Sequence, residues 1–385
     1  MLISRLVLKN WRNFQSIDVA LSDRVFIVGA NASGKSNFLE ALRFLRDIAR
    51  PNGGGLQSSL EHKGGLSKVR CLSARRNSDV EIDIYLSEDG ESTAWHYSIC
   101  LTQQARGHHL PIVKHERVWR GDNDKLVLDR PDEKDKGDSV RLTQTYLEQI
   151  SANSEFREIA KFLESIRYLH LVPQLLRNPE GQISTVDDPF GRGFLETIAR
   201  TSEKTRRARL RKIEKALRIA VPQMKDLTDI KDEAGVPHLE VLCSHWRPNA
   251  GRQREDQFSD GTLRLIGLFW SLLDGNSPLL LEEPELSLNS AIVKRLPPIF
   301  NQLQKKKGRS RQIFVTTHSW ELLSDQGIGD EEVILLTPSP EGTSAQVLSG
   351  REDVRALLDG GLSIADAALP LTAPEYLEQL SLELA

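Results

Sequence analysis

The sequence predicts an α/β fold, in which a mixed or parallel sheet carries a glycine-rich loop and is joined by an antiparallel β layer and a helical insert. Short apolar strands alternate with amphipathic helices towards both ends of the chain, which indicates parallel strands buried on both faces. Residues 79–86 and 94–102 alternate between apolar and polar side chains on either side of the turn signal at Gly90, which predicts an antiparallel hairpin. A charged stretch of helical character separates these two parts.

The N-terminal third contains the clearest strand and helix patterns. Residues 2–9 alternate as in a strand, and Arg24 to Val28 is an apolar run that ends at a glycine. Asn37 to Arg50 has apolar residues at helical spacing. We expect a loop or broken helix over 51–75 and further strands over 111–129.

The remaining elements follow from the same patterns. We expect mainly helix from about 130 to 235, with one strand-like segment at Ile166 to Val172, and sheet again from Leu239. The elements expected after this point are a helix at Gly261 to Leu273, an apolar strand at Pro278 to Leu281, a helix over 290–304, a strand at Ile313 to Val315, strands near 332–337 and 344–349, and a short helix near 352–358. Three segments result: an N-terminal lobe at 1–130, a helical insert at 131–238 and a C-terminal lobe at 239–385.

Composition limits the classes of function. The 385 residues carry a formal net charge of −3, which argues against a protein that coats nucleic acid but leaves room for a local basic groove. The three cysteines are far apart and form no CxxC pair, so the sequence suggests neither a zinc site nor a disulfide framework. Because there is no apolar run of 18 residues and no signal-peptide core, we expect a cytoplasmic protein without a membrane partner.

The first motif is Gly-Ala-Asn-Ala-Ser-Gly-Lys-Ser at Gly29 to Ser36, between a predicted strand and a predicted helix. In this pattern glycines let backbone N–H groups wrap phosphate oxygens, a lysine adds a positive charge, and a serine hydroxyl faces magnesium. The flanking strand and helix are the context that the motif requires. The sequence therefore predicts a phosphate-binding loop, called the phosphate loop below.

The second motif is the acidic end of the apolar strand at Pro278 to Leu281. Carboxylates at such a strand end can hold the water shell of Mg²⁺ and orient an attacking water. We expect Glu282 to serve the metal ion and Glu283 to polarise the water. A solvated acidic loop is the alternative.

Two weaker motifs complete the set. Phe258 to Leu265 begins a helix with Ser259 and Gly261, which suits either an anion-binding helix start or a plain N-cap. Thr316 to Ser319 places His318 at the end of an apolar strand, where a histidine is either structural or functional. Each of these two motifs is weak alone, and they become informative through the order of all four motifs along the chain.

That order resembles the ABC ATPase superfamily, whose Walker A, signature, Walker B and switch-histidine motifs correspond to these four segments. Together with Asn10 to Phe14, the motifs resemble the RecF/SMC/OLD branch, and are most similar to the OLD-like ATPases of bacterial anti-phage and toxin-like systems that lack a TOPRIM domain. The motifs lie mainly in 1–50 and 255–340. Glutamate stands at 282 where the family usually has aspartate, and Ser-Asp-Gly-Thr stands where Ser-Gly-Gly-Gln is commoner.

The resemblance implies an ABC ATPase head that hydrolyses ATP with Mg²⁺. It assigns catalytic roles to Glu283, His318 and Lys35, and magnesium contacts to Ser36 and Glu282. The implied ATP contacts are Asn31, Ala32, Ser33, Gly34, Lys35, Ser36, Asn37, Ser259, Gly261 and, as the Q-loop glutamine, Gln174. Ser259 and Gly261 would cap ATP held by a second copy, in a head-to-tail homodimer.

The resemblance also suggests partners. A separately encoded nuclease or toxin effector is expected, because the chain ends soon after His318 and shows no pattern for a two-metal nuclease site of its own. The basic helix from Lys204 to Arg218 could follow DNA phosphates or be a solvated face, and so could the basic cluster from Lys305 to Arg311. The alternative function is a RecF-like repair protein whose ATP state gates DNA binding.

Overall fold

The computed structural model describes residues 1–74, 79–88, 90, 92–104, 109–177, 190–244, 251–304 and 311–373. The chain forms two compact units. The first unit comprises Met1–Arg167, Ser277–Leu280 and Ser310–Ala385, and the second comprises Tyr168–Asn276 and Leu281–Arg309. The boundaries of these two units differ from the boundaries of the three segments proposed from the sequence.

The described residues form strands β1 to β15 and helices α1 to α14. The strands are β1 (Leu2–Trp11), β2 (Phe14–Ala20), β3 (Arg24–Gly29), β4 (Val80–Ser87), β5 (Thr93–Gln103), β6 (Pro111–Arg120), β7 (Lys125–Arg130), β8 (Arg167–Leu169), β9 (Met224–Lys231), β10 (Pro237–Cys243), β11 (Arg252–Arg254), β12 (Leu279–Glu282), β13 (Ile313–Thr317), β14 (Val333–Ser339) and β15 (Gly342–Val347). The helices are α1 (Lys35–Ala49), α2 (Leu56–Glu61), α3 (Leu66–Val69), α4 (Glu133–Gly137), α5 (Arg157–Ser165), α6 (Pro173–Arg177), α7 (Phe194–Arg200), α8 (Glu203–Ala220), α9 (Asp260–Leu273), α10 (Ser290–Val293), α11 (Leu296–Gln304), α12 (Trp320–Leu323), α13 (Glu352–Asp359) and α14 (Ile364–Ala368).

The antiparallel layer of the first unit is a six-stranded sheet in the order β2-β1-β4-β5-β6-β7. It contains the predicted hairpin, with Ile82 of β4 opposite Ile99 of β5. Strands β6 and β7 confirm the further strands expected over 111–129. Strand β2 was not predicted.

The sheet that carries the phosphate loop has the order β15-β14-β3-β13-β12-β8. Strand β3 lies between β14 and β13, is parallel to both, and is buried along its whole length. This confirms the α/β class and the parallel strands inferred from apolar runs. The boundary between the two units passes through strands β8 and β12. The start of each strand belongs to the first unit, and the remainder belongs to the second.

Helix α1 follows β3 and is held by its apolar stripe. Phe38, Leu42, Leu45 and Ile48 are fully buried, as their helical spacing predicts. The Trp11 ring of β1 packs on this helix 5.3 Å from the ring of Phe44.

The second unit has its own sheet, β11-β10-β9, and its own apolar core. One face of α8 contributes Leu210, Ile213 and Leu217, which are buried with residues of α9 such as Ile266 and Trp270. The opposite face of α8 carries exposed basic residues such as Arg211, Lys212 and Lys215, as an amphipathic helix does at a surface.

Two helix predictions differ in part from the structure of the second unit. Helix was expected up to residue 235, but strand β9 begins at Met224. Met224 and Leu227 have the three-residue apolar spacing of a helix, and the pairing of this segment with β10 outweighs that local preference. The register between β9 and β10 shifts at Asp226, which has φ 53 and is an extra residue in β9. Such a bulge turns the side chains of Met224 and Leu227 inward. The helix expected over 290–304 is divided into α10 and α11, with Pro297 in the first turn of α11, where a missing N–H costs nothing.

Within the described residues, no helix has both the length and the apolar character needed to cross a lipid bilayer.

Candidate functional site

The phosphate loop lies between β3 and α1 in the first unit. Gly34, the last residue before α1, has a left-handed φ of 100, and a Cβ at this position would lie 2.1 Å from Nδ2 of Asn13. A side chain is therefore excluded by conformation and by space. Ala32 adopts a similar left-handed φ of 61. The loop thus turns through two left-handed residues directly into the start of α1, where the N-cap residue Gly34 has no side chain to cap the helix.

Asn13 holds the phosphate loop in place. Its Nδ2 donates to the carbonyl of Ser33 at 2.8 Å and to Oγ1 of Thr343 at 2.7 Å, and its Oδ1 accepts from Nδ2 of Asn37 at 2.8 Å. Trp11 adds a bond from Nε1 to the carbonyl of Asn37 at 2.8 Å. Asn10 to Phe14 is therefore more than a mark of family resemblance, because Trp11 and Asn13 of this segment anchor the phosphate loop.

Lys35 lies across the loop with 7% of its surface exposed. Its Nζ donates to the carbonyls of Gly29 at 3.0 Å and Ala30 at 3.1 Å. The hydroxyl of Ser33 is buried and has no hydrogen-bond partner among the described residues. A buried hydroxyl, a cation and a helix N-terminus at one loop are groups that phosphate oxygens satisfy, so the residues present fit a nucleotide.

The other phosphate-loop residues that were predicted to contact ATP differ in how exposed they are. Asn31, Ala32 and Ser36 are exposed, whereas Asn37 is partly buried. Ser36 belongs to the first turn of α1 and is exposed as a residue. This fits the predicted magnesium contact.

His318 lies at the same edge of the first unit's sheet as the phosphate loop. It follows Thr317 of β13, which is opposite Val28 of the parallel strand β3. The side chain of His318 is exposed, and the next residue, Ser319, caps α12 by accepting from the N–H of Leu322 at 3.3 Å. His318 therefore lies at the same edge of the sheet as the phosphate loop, and its assignment as a residue that senses phosphate stays a prediction.

Glu282 is the last residue of β12 and is held by a tyrosine in the second unit. The hydroxyl of Tyr168 donates to Oε2 of Glu282, and Nδ1 of His170 lies 4.0 Å from the same oxygen. The Glu282 side chain is 15% exposed. Sequence reasoning missed Tyr168, because only the sheet order, in which β8 is the neighbour of β12, brings this residue to Glu282.

Glu283 has a left-handed backbone with φ 43, which is rare for a glutamate and costs energy that the surrounding structure must supply. The hydrogen bond from the N–H of Leu286 to its carbonyl, 3.2 Å long, closes the turn. Strain at a carboxylate that leaves a buried strand is typical of a functional position.

Arg264 lies among the acids of this region. Burial lowers its pKa, whereas the charges of Asp260, Glu283 and Glu285 act in the opposite direction. Its Nε is buried without a hydrogen-bond partner among the described residues. The guanidinium therefore supplies a positive charge beside the two glutamates.

The signature segment begins α9. Ser259 caps the helix, because its Oγ accepts from the N–H of Thr262 at 3.3 Å and lies 2.9 Å from Oγ1 of Thr262. A Cβ at Gly261 would lie 2.6 Å from the carbonyl oxygen of Ser287, in the loop after β12. Glycine is therefore required for the signature and the acidic loop to touch.

Gln174 is exposed on α6, and its Nε2 lies 3.4 Å from Oδ2 of Asp260. Arg177 of the same helix donates from Nη2 to Oδ1 of Asp260 at 2.5 Å and to the carbonyl of Phe258 at 2.7 Å. Helix α6 is thus tied to the signature. The assignment of Gln174 as the Q-loop glutamine stays a prediction.

The basic helix predicted from Lys204 to Arg218 is α8. Several of its cations are paired: Arg206 with Asp229, Arg207 with Glu203, Arg209 with Asp274 and Arg218 with Glu214. The exposed cations without an ion pair among the described residues are Lys204, Arg211, Lys212 and Lys215. Residues 305–310 of the second basic cluster lie outside the described residues.

Three comparisons place these features among known proteins. The family model described as "AAA domain, putative AbiEii toxin, Type IV TA system" matches residues 24–324. The DNA replication and repair protein RecF of Bacillus cytotoxicus is 29% identical over 92 residues, which are 24% of this chain and 25% of that protein. RecF of Bacillus thuringiensis is 27% identical over 114 residues, 29% of this chain and 30% of that protein. The matched part spans less than a third of these curated relatives.

Solved structures share the fold. An Smc head bound to the C-winged helix domain of ScpA has a TM-score of 0.51 at 16% identity, covering 91% of this chain and 99% of that chain. The Smc head from Pyrococcus furiosus, with an extended coiled coil and bound to the C-terminal domain of ScpA, has a TM-score of 0.51 at 14% identity, covering 93% and 99%.

Proposed function

The chain belongs to the AAA-domain family whose model matches residues 24–324; we propose that it is an ATPase of the SMC/RecF type. We propose further that it is a molecular switch that dimerises head-to-tail on ATP and controls a partner effector. The observation that carries the proposal is the phosphate loop, in which Gly34 turns left-handed into α1 and Lys35 lies on the loop carbonyls. This arrangement supplies N–H donors and a cation to phosphate oxygens.

We propose that Lys35 exchanges its two carbonyl partners for phosphate oxygens when ATP binds. Asn31 to Asn37 provide the remaining contacts, with Asn13 keeping the loop in the receptive shape. Ser36 and Glu282 are the residues that would hold Mg²⁺, which supplies positive charge to the phosphates when bound. Tyr168 fixes the orientation of the Glu282 carboxylate.

Glu283 is proposed to accept a proton from the attacking water as ADP and phosphate form. Its strained backbone presents the carboxylate beyond the end of β12, and Arg264 adds a positive charge beside it. His318, exposed at the edge of the first unit's sheet, is proposed to contact the γ-phosphate. The differential contacts to this phosphate would distinguish the ATP state from the ADP state.

Ser259 and Gly261 are proposed to contact ATP held by a second copy of the chain. The support is that Ser259 and Gly261 lie at the start of α9, where Ser259 caps the helix and Gly261 lets the helix start rest on the acidic loop. The proposed assembly is an ATP-dependent homodimer with two such shared sites.

The test is the Glu283→Gln variant with ATP and Mg²⁺. We expect it to bind ATP, to lose at least a hundredfold in hydrolysis rate, which is about 2.7 kcal/mol of barrier, and to accumulate as a dimer in light scattering. Glu285→Gln is the matched control in the same loop. Unchanged hydrolysis by Glu283→Gln would refute the catalytic assignment, and a protein that stays monomeric with ATP would refute the shared site.

The partner is proposed to be a nuclease or toxin subunit encoded separately, in keeping with the toxin-type family that matches. Co-purification of the neighbouring gene product with Glu283→Gln, and not with Lys35→Ala, tests this part. Equal recovery with both variants would contradict control by ATP.

A RecF-like function is the second candidate, and the exposed cations of α8 favour it. Reversing Arg211, Lys212 and Lys215 to Glu should weaken DNA binding at least tenfold and flatten its salt dependence. The control reverses Lys125, Lys134 and Lys136, which are exposed in the first unit, and changes the net charge equally. Equal losses in both triple variants would show that only overall charge matters.

A further inference from the structure

Three adjacent strands of the antiparallel sheet place a carboxylate, a thiol and an imidazole in one row. Glu81 of β4 is opposite Cys100 of β5, and Cys100 is in turn opposite His115 of β6. One ligand-type atom of each residue lies within 4.8 Å of those of the other two. These residues belong to the first unit and are not part of the motifs used above.

The burial and hydrogen bonding of the row point to a ligand. Cys100 is only 3% exposed, and Nδ1 of His115 is buried without a hydrogen-bond partner among the described residues. A buried ring nitrogen without a partner is uncommon and calls for an explanation, of which an ion is one. Nζ of Lys9 donates to Oε1 of Glu81 at 2.8 Å, and the other carboxylate oxygen, Oε2, is the one assigned to the metal ion.

The charges around the row are of both signs. Glu81 accepts a hydrogen bond from Nζ of Lys9 at 2.8 Å, and Asp79 accepts one from Nζ of Lys114 at 2.5 Å. A cysteine thiol carries its proton at neutral pH and loses it when a metal ion binds the sulfur.

We propose that Glu81, Cys100 and His115 form a binding site for a zinc-type divalent ion, with water as the fourth ligand. Thiolate, imidazole and carboxylate are the ligands that zinc takes in proteins, at bond lengths of about 2.0–2.3 Å. Ligand atoms of a tetrahedral site are then about 3.3–3.8 Å apart, so closing this row needs movement of about an ångström. As the sulfur–metal bond forms, Cys100 releases its proton to solvent.

The experiment uses the full chain, freed of metal with a chelator and titrated with Co²⁺ and then with Zn²⁺. We expect one Co²⁺ ion per chain with a near-ultraviolet thiolate charge-transfer band, displacement by Zn²⁺, and release of about one proton per ion at pH 7. Cys100→Ser should abolish the band. Glu81→Gln and His115→Gln should weaken binding at least tenfold.

The controls separate this site from others on the chain. Cys71→Ser and Cys243→Ser remove the other two thiols and should keep the band and the stoichiometry. Lys9→Met removes a competing ammonium group and should tighten binding. If Cys100→Ser does not fold by circular dichroism, the Glu81→Gln and His115→Gln variants decide.

Three results would overturn the proposal. They are the absence of a thiolate band in the wild-type chain, its persistence in folded Cys100→Ser, and unchanged affinity in folded Glu81→Gln and His115→Gln.

Discussion

Gly261 and Ser287 approach so closely that a Cβ on the glycine would lie 2.6 Å from the serine carbonyl oxygen. Ser287 has a left-handed φ of 62, which directs its carbonyl towards α9. The start of the signature helix and the loop that follows Glu283 therefore form one packed element. A substitution in either segment should therefore alter the packing of the other.

Gly261→Ala should destabilise this element and reduce ATP hydrolysis. The added methyl must displace backbone, and forced packing of this kind costs about 1–3 kcal/mol. Thermal unfolding and steady-state hydrolysis measure the two effects. Gly251→Ala is the control, since a Cβ there meets nothing within 4 Å. Wild-type stability and hydrolysis in Gly261→Ala would show that the contact is dispensable.

Asn13→Ala should weaken ATP binding about tenfold, which is about 1.4 kcal/mol. The substitution removes the bonds that hold Ser33 and Asn37, each worth about 0.5–1.5 kcal/mol. A fluorescent ATP analogue titrated into both proteins measures the difference. The exposed side chain of Gln15, two residues later, provides the control as Gln15→Ala. Equal affinity for Asn13→Ala and wild type would mean that α1 alone shapes the loop.

Tyr168→Phe should raise the Mg²⁺ concentration that gives half-maximal hydrolysis several-fold. The change removes one hydroxyl whose bond orients Glu282, and bonds to charged groups are worth about 1.5–3 kcal/mol. ATP binding measured in EDTA should be unaffected, since the metal ion is then absent. Tyr85→Phe, in the antiparallel sheet, is the control. A parallel loss of ATP binding in EDTA would indicate general damage instead of a lost metal ligand.

His238 should make the stability of the chain depend on pH. Burial by itself would lower its pKa, but the bonds to Glu255 and Asp232 outweigh burial and raise the pKa above 6.5. A group whose folded pKa is raised stabilises fully below its unfolded pKa and loses this contribution as pH rises through the folded pKa. We therefore expect the unfolding midpoint to fall from pH 6 towards pH 8.

His238→Gln should flatten that pH dependence, whereas His62→Gln, at an exposed site, should leave it as in the wild type. Melting curves recorded at several pH values for the three proteins make the comparison. The same slope in His238→Gln as in wild type would assign the dependence to other groups.

Much of the nucleotide region could be predicted because its signals are local. The run from Arg24 to Ser36 contains its own strand, turn and helix start, and glycine is needed at 34 by the conformation of a single residue. The buried strand before Glu282 and the cap at Ser259 are likewise properties of short segments. Such segments form the same structures in many surroundings, so pattern and spacing suffice.

Contacts between distant segments could not be predicted in this way. Asn13 meets Thr343, 330 positions later, only because the turn after β1 and strand β15 come together in the first unit. The bulge at Asp226 likewise depends on the partner strand and not on the residues of β9.

The cysteines show the same division. The sequence by itself determined the α/β class, the phosphate loop and the order of the motifs, but it gave no reason to expect a metal ligand at Cys100, because no CxxC pair is present. Only the register of β4, β5 and β6 decided that Glu81 and His115 flank this thiol. The tendency to form a strand depends on residues that are neighbours in the sequence, whereas the register between strands depends on how whole strands bury their faces.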